Sequence, residues 1–202
     1  MTHWKDAEYT LYSSPFSLYS MMARHTVQLG PTTHNAMPPK SITLSFVNHK
    51  AHENLNEEYL KINPKGQVPA MTGNLLDHTL TDSYSISLHL AEKHYPAMLG
   101  GPHEDVVRGL FERLHAVKSG TIDQDDEWTF GAEVGPTILD SHILPFALRC
   151  MEVGNGLVPP ELQRWAKAKE KSPLWYKVMR GRPTTYHPSM GPVAEMQDMM
   201  TL

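Results

Sequence analysis

Apolar positions in the first 96 residues predict strands and helices in alternation. From Leu18 to Leu29 they recur at the spacing of one buried helical face, and Gly30-Pro31 then stops the pattern. Between Ile42 and Val47 apolar and polar residues alternate, which is typical of a half-buried strand. The patterns predict a strand at residues 9–12, a helix at 18–29, a strand at 42–47 and a short helix at 52–60.

The run Asn63-Pro64-Lys65-Gly66-Gln67-Val68-Pro69 predicts a turn that leads into a strand. Residues 68–71 and 75–77 flank Gly73-Asn74, a pattern that favours a tight hairpin. A further helix follows Thr81 and ends before Pro96. The order βαβα followed by ββα, with parallel pairing first and a hairpin last, is that of a thioredoxin-type half-sheet.

After Pro96 the patterns are helical, and no segment reads convincingly as a strand. Thr137 and Asp140 have the spacing of a capping box at a helix start. The predicted helices span about residues 104–118, 139–151, 161–171 and 172–180, and the Pro-, Met- and Gly-rich tail from Pro183 is expected to be an extended cover or partly disordered. The predicted fold class is an α/β thioredoxin-like N-terminal domain, residues 1–96, followed by an all-α C-terminal domain, residues 97–202.

Composition narrows the possible functions. The chain has 202 residues, 40% of them hydrophobic, which fits a globular protein with a core. Its net charge is −4, so the composition gives no reason to expect nucleic-acid binding. No run of eighteen apolar residues predicts a membrane span, and the polar first six residues do not resemble a signal peptide, so we expect a cytoplasmic protein. The single cysteine, Cys150, is expected to be a buried structural thiol, and the histidine spacing gives no reason to expect a metal.

Two features together predict a cradle for a short charged peptide. Proline lacks an N–H and is poorly tolerated inside a sheet, so Val68-Pro69 at a strand entrance suggests a special backbone geometry. A cis bond there would turn the N–H and C=O of Val68 outward, toward an extended ligand. Thr81-Asp82-Ser83 opens a helix and offers N–H groups and a hydroxyl to an anion. The alternative is that Asp82 and Ser83 only cap the helix.

The ordered set Asn63-Pro64-x-Gly66-x-Val68-Pro69, Asp82-Ser83-x-x-Ile86, Thr137-x-x-Asp140 and Trp175…Arg182-Pro183 resembles the cytosolic glutathione transferase family over nearly the whole chain. The family usually has Glu where this chain has Asp82. The resemblance implies glutathione as cofactor, an apolar small-molecule substrate bound between the domains, and a homodimer. It places glutathione against Gln67, Val68, Pro69, Asp82 and Ser83. Lys50, His52 and Asn54 all remain open as partners of the glycyl carboxylate.

The segment from Ser14 to Arg24 resembles the serine, omega and zeta-like branch of that family. There the catalytic residue precedes a helical Arg by seven positions, which selects Ser17, with Ser14 as the alternative and Tyr12 as a third choice. Ser17 would donate a hydrogen bond to the glutathione thiolate. Another reading is that Ser14 and Ser17 only cap the helix. The resemblance also implies that Phe16, Tyr19, Phe111 and His115 line the substrate site.

Three functional hypotheses follow. The first is an enzyme that adds the glutathione thiol to an apolar electrophile, either as conjugation or as trans–cis isomerisation of a double bond. The chain is also similar to fungal glutathione transferases of secondary-metabolite pathways, including a pseurotin-pathway isomerase, because one helix between Pro96 and Pro136 is expected to be short or absent. The second is a non-catalytic binding or scaffold protein on the same fold. A thiol–disulfide oxidoreductase is discarded, since no cysteine stands at the first helix.

Overall fold

A small mixed sheet organises the first part of the chain. The computed structural model describes residues 7–116, 128–154 and 158–200. Its strands are β1 (Tyr9–Ser13), β2 (Ile42–Phe46) and β3 (Ala70–Gly73), in the order β2-β1-β3. β1 runs parallel to β2 and antiparallel to β3, and all five of its residues are buried. The central strand of the sheet is therefore its most buried one.

Helices cover this sheet and then form the rest of the molecule. They are α1 (Leu18–Leu29), α2 (Glu57–Ile62), α3 (Ser83–His94), α4 (Glu104–Ala116), α5 (Gly131–Val134), α6 (Ile138–Val153), α7 (Pro160–Glu170) and α8 (Pro173–Met179). Within the described ranges no helix is both long and apolar enough to cross a membrane. A thioredoxin-like sheet followed by helices confirms the predicted fold class.

Helix α1 lies between the two parts of the molecule and contacts α3, α6 and α8. Every residue of α1 except Leu18 and Tyr19 is buried. Gly30 follows the helix where the ring of Tyr95 passes, and a Cβ at that position would lie 2.2 Å from the ring. Only glycine lets these two segments approach so closely.

Three apolar clusters hold these elements together. One lies between the sheet, α1, α3 and α4 and includes Leu11, Leu90 and Phe111. A second joins Met21 of α1 to α6, α7, α8 and the C-terminal tail. The third lies where β1 ends and consists of Tyr12, Val47, Tyr59, Val68 and Ala70. Val68 is thereby fixed beside the end of β1.

The start of α6 confirms the expected capping arrangement. The Asp140 carboxylate accepts from the N–H and hydroxyl of Thr137, at 2.8 and 2.7 Å. It also accepts from the N–H and hydroxyl of Thr129, at 2.8 and 2.6 Å. Four donors offset the cost of burying this carboxylate, which is 1% exposed.

Several local predictions were wrong. Residues 75–77 form no strand; β3 instead makes one isolated bridge, between Met71 and Leu80, because a longer turn separates the two arms. The expected helix at 52–60 is split into one short 3-10 turn, Glu53–Leu55, and α2. Cys150 is half-buried rather than buried.

In the helical part, Val106 belongs to the exposed side of α4, since its side chain is 51% exposed. Residues 117–127, which fall in the region where one helix is expected to be short or absent, lie outside the described residues. The tail from Pro183 covers the protein through three short 3-10 turns, with Met196 and Met199 buried.

Candidate active site

Ser17 begins α1 and is its N-cap. Its Oγ accepts a hydrogen bond from the N–H of Ser20 at 3.3 Å, and its own N–H donates to the Ser14 carbonyl at 3.2 Å. A serine hydroxyl has one proton to donate as well as two lone pairs. Capping uses only a lone pair, so the Ser17 proton remains available at the positive end of the helix. The capping interpretation is correct, and it does not conflict with the catalytic one.

Ser14, the alternative, is buried, and its N–H donates to Ser20 Oγ at 3.3 Å. The preceding Ser13 is also buried, and its Oγ has no hydrogen-bond partner among the described residues. Ser17 is only half-buried. Of the two candidates, Ser17 is therefore the more accessible to a ligand.

Two arginines fix the turn between these serines. Arg24 Nη2 donates to the Pro15 carbonyl at 2.7 Å, and Arg149 Nη2 donates to the Phe16 carbonyl at 2.9 Å. Burial lowers the pKa of Arg24 to about 9, so the group is still charged at neutral pH. Arg24 was singled out by its position after Ser17. Arg149 was missed, because nothing in its helical surroundings marks it.

Val68 and Pro69 lie next to this turn. Tyr12 pairs with Ala70 across the sheet, so the residues before Ala70 run beside those after Tyr12. The Val68-Pro69 bond is cis, which is the geometry considered from the sequence for a ligand-facing Val68. No hydrogen bond from the described residues engages the N–H or C=O of Val68, which leaves both groups available to a ligand.

The loop before Val68 is held by its own side chains. The Gln67 carbonyl accepts from Asn63 Nδ2 and from the Tyr59 hydroxyl, both at 2.7 Å. Gly66 has a φ of 61°, and a Cβ there would meet Leu55 at 2.9 Å. The Gln67 side chain itself is exposed and free to reach a ligand.

At the start of α3, Asp82 is a helix cap. One carboxylate oxygen accepts from the Ser85 N–H and the other from the Ser85 hydroxyl, each at 2.8 Å. Ser83 is 1% exposed, and its hydroxyl points to the Met22 sulfur at 3.9 Å. Both residues therefore have structural contacts, while the backbone N–H groups of Ser83 and Tyr84 have no hydrogen-bond acceptor among the described residues.

The four expected substrate residues do not share one environment. Phe16 is half-buried against Tyr186, with ring centroids 5.4 Å apart, and Tyr19 is 44% exposed. Phe111 has no exposed surface and stacks on Tyr84 at 4.8 Å, so it packs in the core and the prediction that it lines the substrate site is wrong. His115 lies beside the same Tyr84 ring at 5.3 Å.

His115 is the outer end of a buried hydrogen-bonded chain that sequence reasoning missed. Its Nε2 lies 3.0 Å from His142 Nδ1, and His142 Nε2 lies 2.8 Å from Ser87 Oγ. Thr26 Oγ1 continues the chain to Ser87 and to Ser141, at 2.8 Å each. Burial lowers the pKa of His115 and holds that of His142 well below its usual value, so both rings are neutral at pH 7. The chain joins α1, α3, α4 and α6 without a charge.

Of the three open partners for a glycyl carboxylate, Asn54 already uses one of its two amide N–H groups, because its Nδ2 donates to the Gly66 carbonyl at 2.8 Å. His52 lies in a left-handed turn with a φ of 56°. Lys50 is exposed, and its ammonium lies 3.5 Å from the centre of the Tyr186 ring. A small cavity inside the helical part, lined by His25, Asp140, Trp165 and Lys169 among others, includes none of the candidate binding residues.

Comparison with known proteins identifies the fold. Residues 11–97 match the family model described as the N-terminal domain of glutathione S-transferase. No curated protein matches the chain by sequence.

Solved structures match over most of the chain at low identity. Glutathione S-transferase I bound with lactoylglutathione is 17% identical, with 87% of this chain and 100% of that one covered and a TM-score of 0.64. A bacterial zeta-class maleyl pyruvate isomerase is 16% identical, with 88% and 100% covered and a TM-score of 0.58. The nitrogen regulation fragment of the yeast prion protein Ure2p is 17% identical, with 90% and 100% covered and a TM-score of 0.58. Together the comparisons show the glutathione S-transferase fold.

Proposed function

We propose that the protein binds glutathione, ionises its thiol and adds the thiolate to an apolar electrophilic or conjugated substrate. The observation that carries the proposal is the uncommitted proton of Ser17 at the start of α1. A hydrogen bond from that hydroxyl favours the thiolate over the thiol, and the helix end favours it further. Ser17 is not the nucleophile in this proposal. The attacking atom is the glutathione sulfur, and the Ser17 hydroxyl stabilises its anion.

Main-chain groups hold the rest of the tripeptide in this proposal. The N–H and C=O of Val68 pair with the cysteinyl backbone of glutathione, beside the Ser17 turn. The first N–H groups of α3 receive the γ-glutamyl carboxylate, and Asp82 receives its ammonium in addition to capping the helix. Lys50 takes the glycyl carboxylate, because its exposed ammonium carries a full positive charge, whereas Asn54 is neutral and already donates to the Gly66 carbonyl.

Two reactions share the thiolate. In conjugation, sulfur forms a bond to carbon and the adduct is released after protonation. In isomerisation, sulfur adds to a conjugated double bond, the bond rotates, and the same thiolate leaves, so glutathione is regenerated. We propose a trans–cis isomerase or a conjugating transferase of a fungal secondary-metabolite pathway. A maleyl pyruvate isomerase among the matching structures supports keeping both reactions.

One incubation separates these reactions. Protein, glutathione and a conjugated trans-polyene are mixed and the products are examined by liquid chromatography with mass detection. A product heavier by the mass of glutathione indicates conjugation. A product of unchanged mass and altered retention indicates isomerisation. If no product exceeds the rate without protein, and glutathione does not bind by calorimetry, the proposal is wrong.

The second candidate is a glutathione transferase-like protein without catalysis. The observation in its favour is the γ-glutamyl end of the cradle, where both Asp82 oxygens are used by Ser85 and Ser83 is almost fully buried. It predicts weak glutathione binding and no thiolate stabilisation. Retention on a glutathione-affinity column followed by elution with free glutathione would count against it.

We also propose that the protein is a cytoplasmic homodimer. Glutathione transferases of this fold commonly pair, and the resemblance extends over nearly the whole chain. Light scattering coupled to size-exclusion chromatography measures the assembly directly: twice the 22.8 kDa chain mass supports the dimer, and the single-chain mass contradicts it.

A further inference from the structure

The chain after α8 returns to the start of α1 and is anchored there. Thr184 is 1% exposed, and its N–H and hydroxyl donate to the two oxygens of the Glu152 carboxylate, at 2.7 Å each. Arg149 donates to the Thr184 hydroxyl at 3.0 Å and also to the Thr184 carbonyl. Glu152 and Arg149 both belong to α6, so this helix holds the tail in place.

The same Arg149 guanidinium reaches the candidate active site. Its Nη2 donates to the carbonyl of Phe16, the residue immediately before Ser17. Burial lowers the pKa of Arg149, with Glu152 acting in the opposite direction. One side chain therefore links the anchored Thr184 to the turn that presents Ser17.

Two residues after this anchor, the Tyr186 ring is fixed from several sides. Its edge packs against Phe16 at 5.4 Å and 64°, and the Lys50 ammonium lies over its face at 3.5 Å. The Tyr186 hydroxyl donates to the Gly191 carbonyl at 3.1 Å. Both Phe16 and Tyr186 remain half-buried, so part of this aromatic pair faces solvent next to Ser17.

We propose that Tyr186 determines substrate specificity by closing the Phe16 side of the acceptor site and limiting the size of the electrophile. The inference rests on the proposed function, because it needs a thiolate held at Ser17. An apolar acceptor must approach that sulfur over an apolar surface, and Phe16 is the adjacent apolar side chain. Since the Tyr186 ring already occupies the edge of Phe16, a second ring on the acceptor has no room there.

Two α,β-unsaturated ketones test this limit, methyl vinyl ketone as the small acceptor and chalcone as the large one. In both, the thiolate sulfur forms a bond to the β-carbon, the double-bond electron pair moves to the α-carbon, and water protonates that carbon. The hydroxide left behind is neutralised by the proton released from the thiol. For each ketone, kcat/KM is divided by the uncatalysed rate constant, which removes the intrinsic difference in reactivity.

The measured quantity is the ratio of this normalised kcat/KM for chalcone to that for methyl vinyl ketone. Tyr186→Ala should raise the ratio about tenfold, within the range that one apolar group in a pocket contributes to discrimination. Tyr186→Phe keeps the ring and should leave the ratio within about twofold of the parent protein, since it lacks only the hydroxyl. Tyr176→Ala is the matched control, because Tyr176 is exposed on α8. It should leave the ratio unchanged.

The outcomes distinguish this inference from the proposed function. A ratio in Tyr186→Ala that is unchanged or lower overturns the size limit, provided that the variant keeps its circular dichroism spectrum and binds glutathione. If Tyr186→Ala does not fold, Tyr186→Leu replaces it and must raise the same ratio. Absence of glutathione binding and of turnover of both ketones by the parent protein overturns the proposed function itself.

Discussion

A single hydroxyl at Ser17 can stabilise both the helix and a ligand, because the two roles use different parts of the group. One lone pair accepts from the Ser20 N–H, and the hydroxyl proton is not used by this bond, so it can be donated to a ligand. Where the sequence alone offered capping and catalysis as competing interpretations, the geometry allows both. A substitution at Ser17 therefore has two effects that must be measured separately.

Ser17→Ala should raise the pKa of bound glutathione by about one to two units, since a hydrogen bond to a charged group contributes about 1.5–3 kcal/mol. The limb of the pH–rate profile that reports the thiol should move by the same amount. The variant also loses a helix cap and about 1 kcal/mol of unfolding free energy. Ser17→Thr retains acceptor and donor, so it should keep both properties. An unmoved profile in Ser17→Ala would assign the role to Ser14 or to another group.

Asp82 is the second residue with two roles. Asp82→Ala removes the acceptor for the Ser85 N–H and should cost about 1 kcal/mol of unfolding free energy. Asp82→Asn preserves the cap but loses the charge, so it should weaken glutathione binding at little cost in stability. Denaturant unfolding and calorimetric titration measure the two effects. Unchanged glutathione affinity in Asp82→Asn and in Ser83→Ala together would contradict the proposed γ-glutamyl site.

At the scale of elements, the buried histidines make the junction of α1, α3, α4 and α6 sensitive to acid. Burial lowers the pKa of His25 to about 4, and it also holds the pKa of His142 well below the usual value. Above about pH 6.5 both rings are neutral in the folded and unfolded states and contribute nothing to the pH dependence. Below it the unfolded chain takes up protons that the folded protein does not.

The free energy of unfolding should therefore fall as the pH decreases from about 6.5 toward 4, by about 1.4 kcal/mol per pH unit for each such histidine. His142→Phe removes one of these histidines, so the slope of unfolding free energy against pH should be shallower by about 1.4 kcal/mol per pH unit. His34→Phe, at an exposed position, is the control. Urea unfolding at several pH values measures the slope. An equal slope in His142→Phe and the parent protein would contradict the buried neutral state of His142.

How far the sequence predicts each element depends on whether local patterns or distant contacts decide it. The strands β1 and β2, the helix α1 and the Thr137–Asp140 cap follow from spacing within a few residues, and they were predicted. The segment that returns beside β3 after the turn was predicted at residues 75–77, because Gly73-Asn74 resembles a two-residue hairpin. In the structure the isolated bridge instead joins Met71 to Leu80. Arg149, Tyr186 and the His115–His142 chain depend on residues far apart in sequence, and no local signal marks them.

At the scale of the whole molecule, the C-terminal tail is part of the core. Arg24 Nη1 donates to the carbonyls of Val178 and Met199, at 2.9 and 2.8 Å, while its Nη2 donates to the Pro15 carbonyl. Met196 and Met199 are buried in the cluster that includes Met21. One buried cation thus ties the start of α1 to both α8 and the tail.

Removing every residue after Arg182 should cost several kcal/mol of unfolding free energy, since each buried methionine contributes about 1.5–3 kcal/mol and Arg24 loses one of its acceptors. Met199→Ala isolates the apolar part and should cost about 2–5 kcal/mol. Met37→Ala is the matched control at an exposed methionine and should cost less than about 0.5 kcal/mol. Thermal and urea unfolding of the three variants measure these losses. A shortened chain as stable as the parent protein would show that the tail covers the core without supporting it. If the shortened chain is too unstable to purify, the comparison of Met199→Ala with Met37→Ala still decides the question.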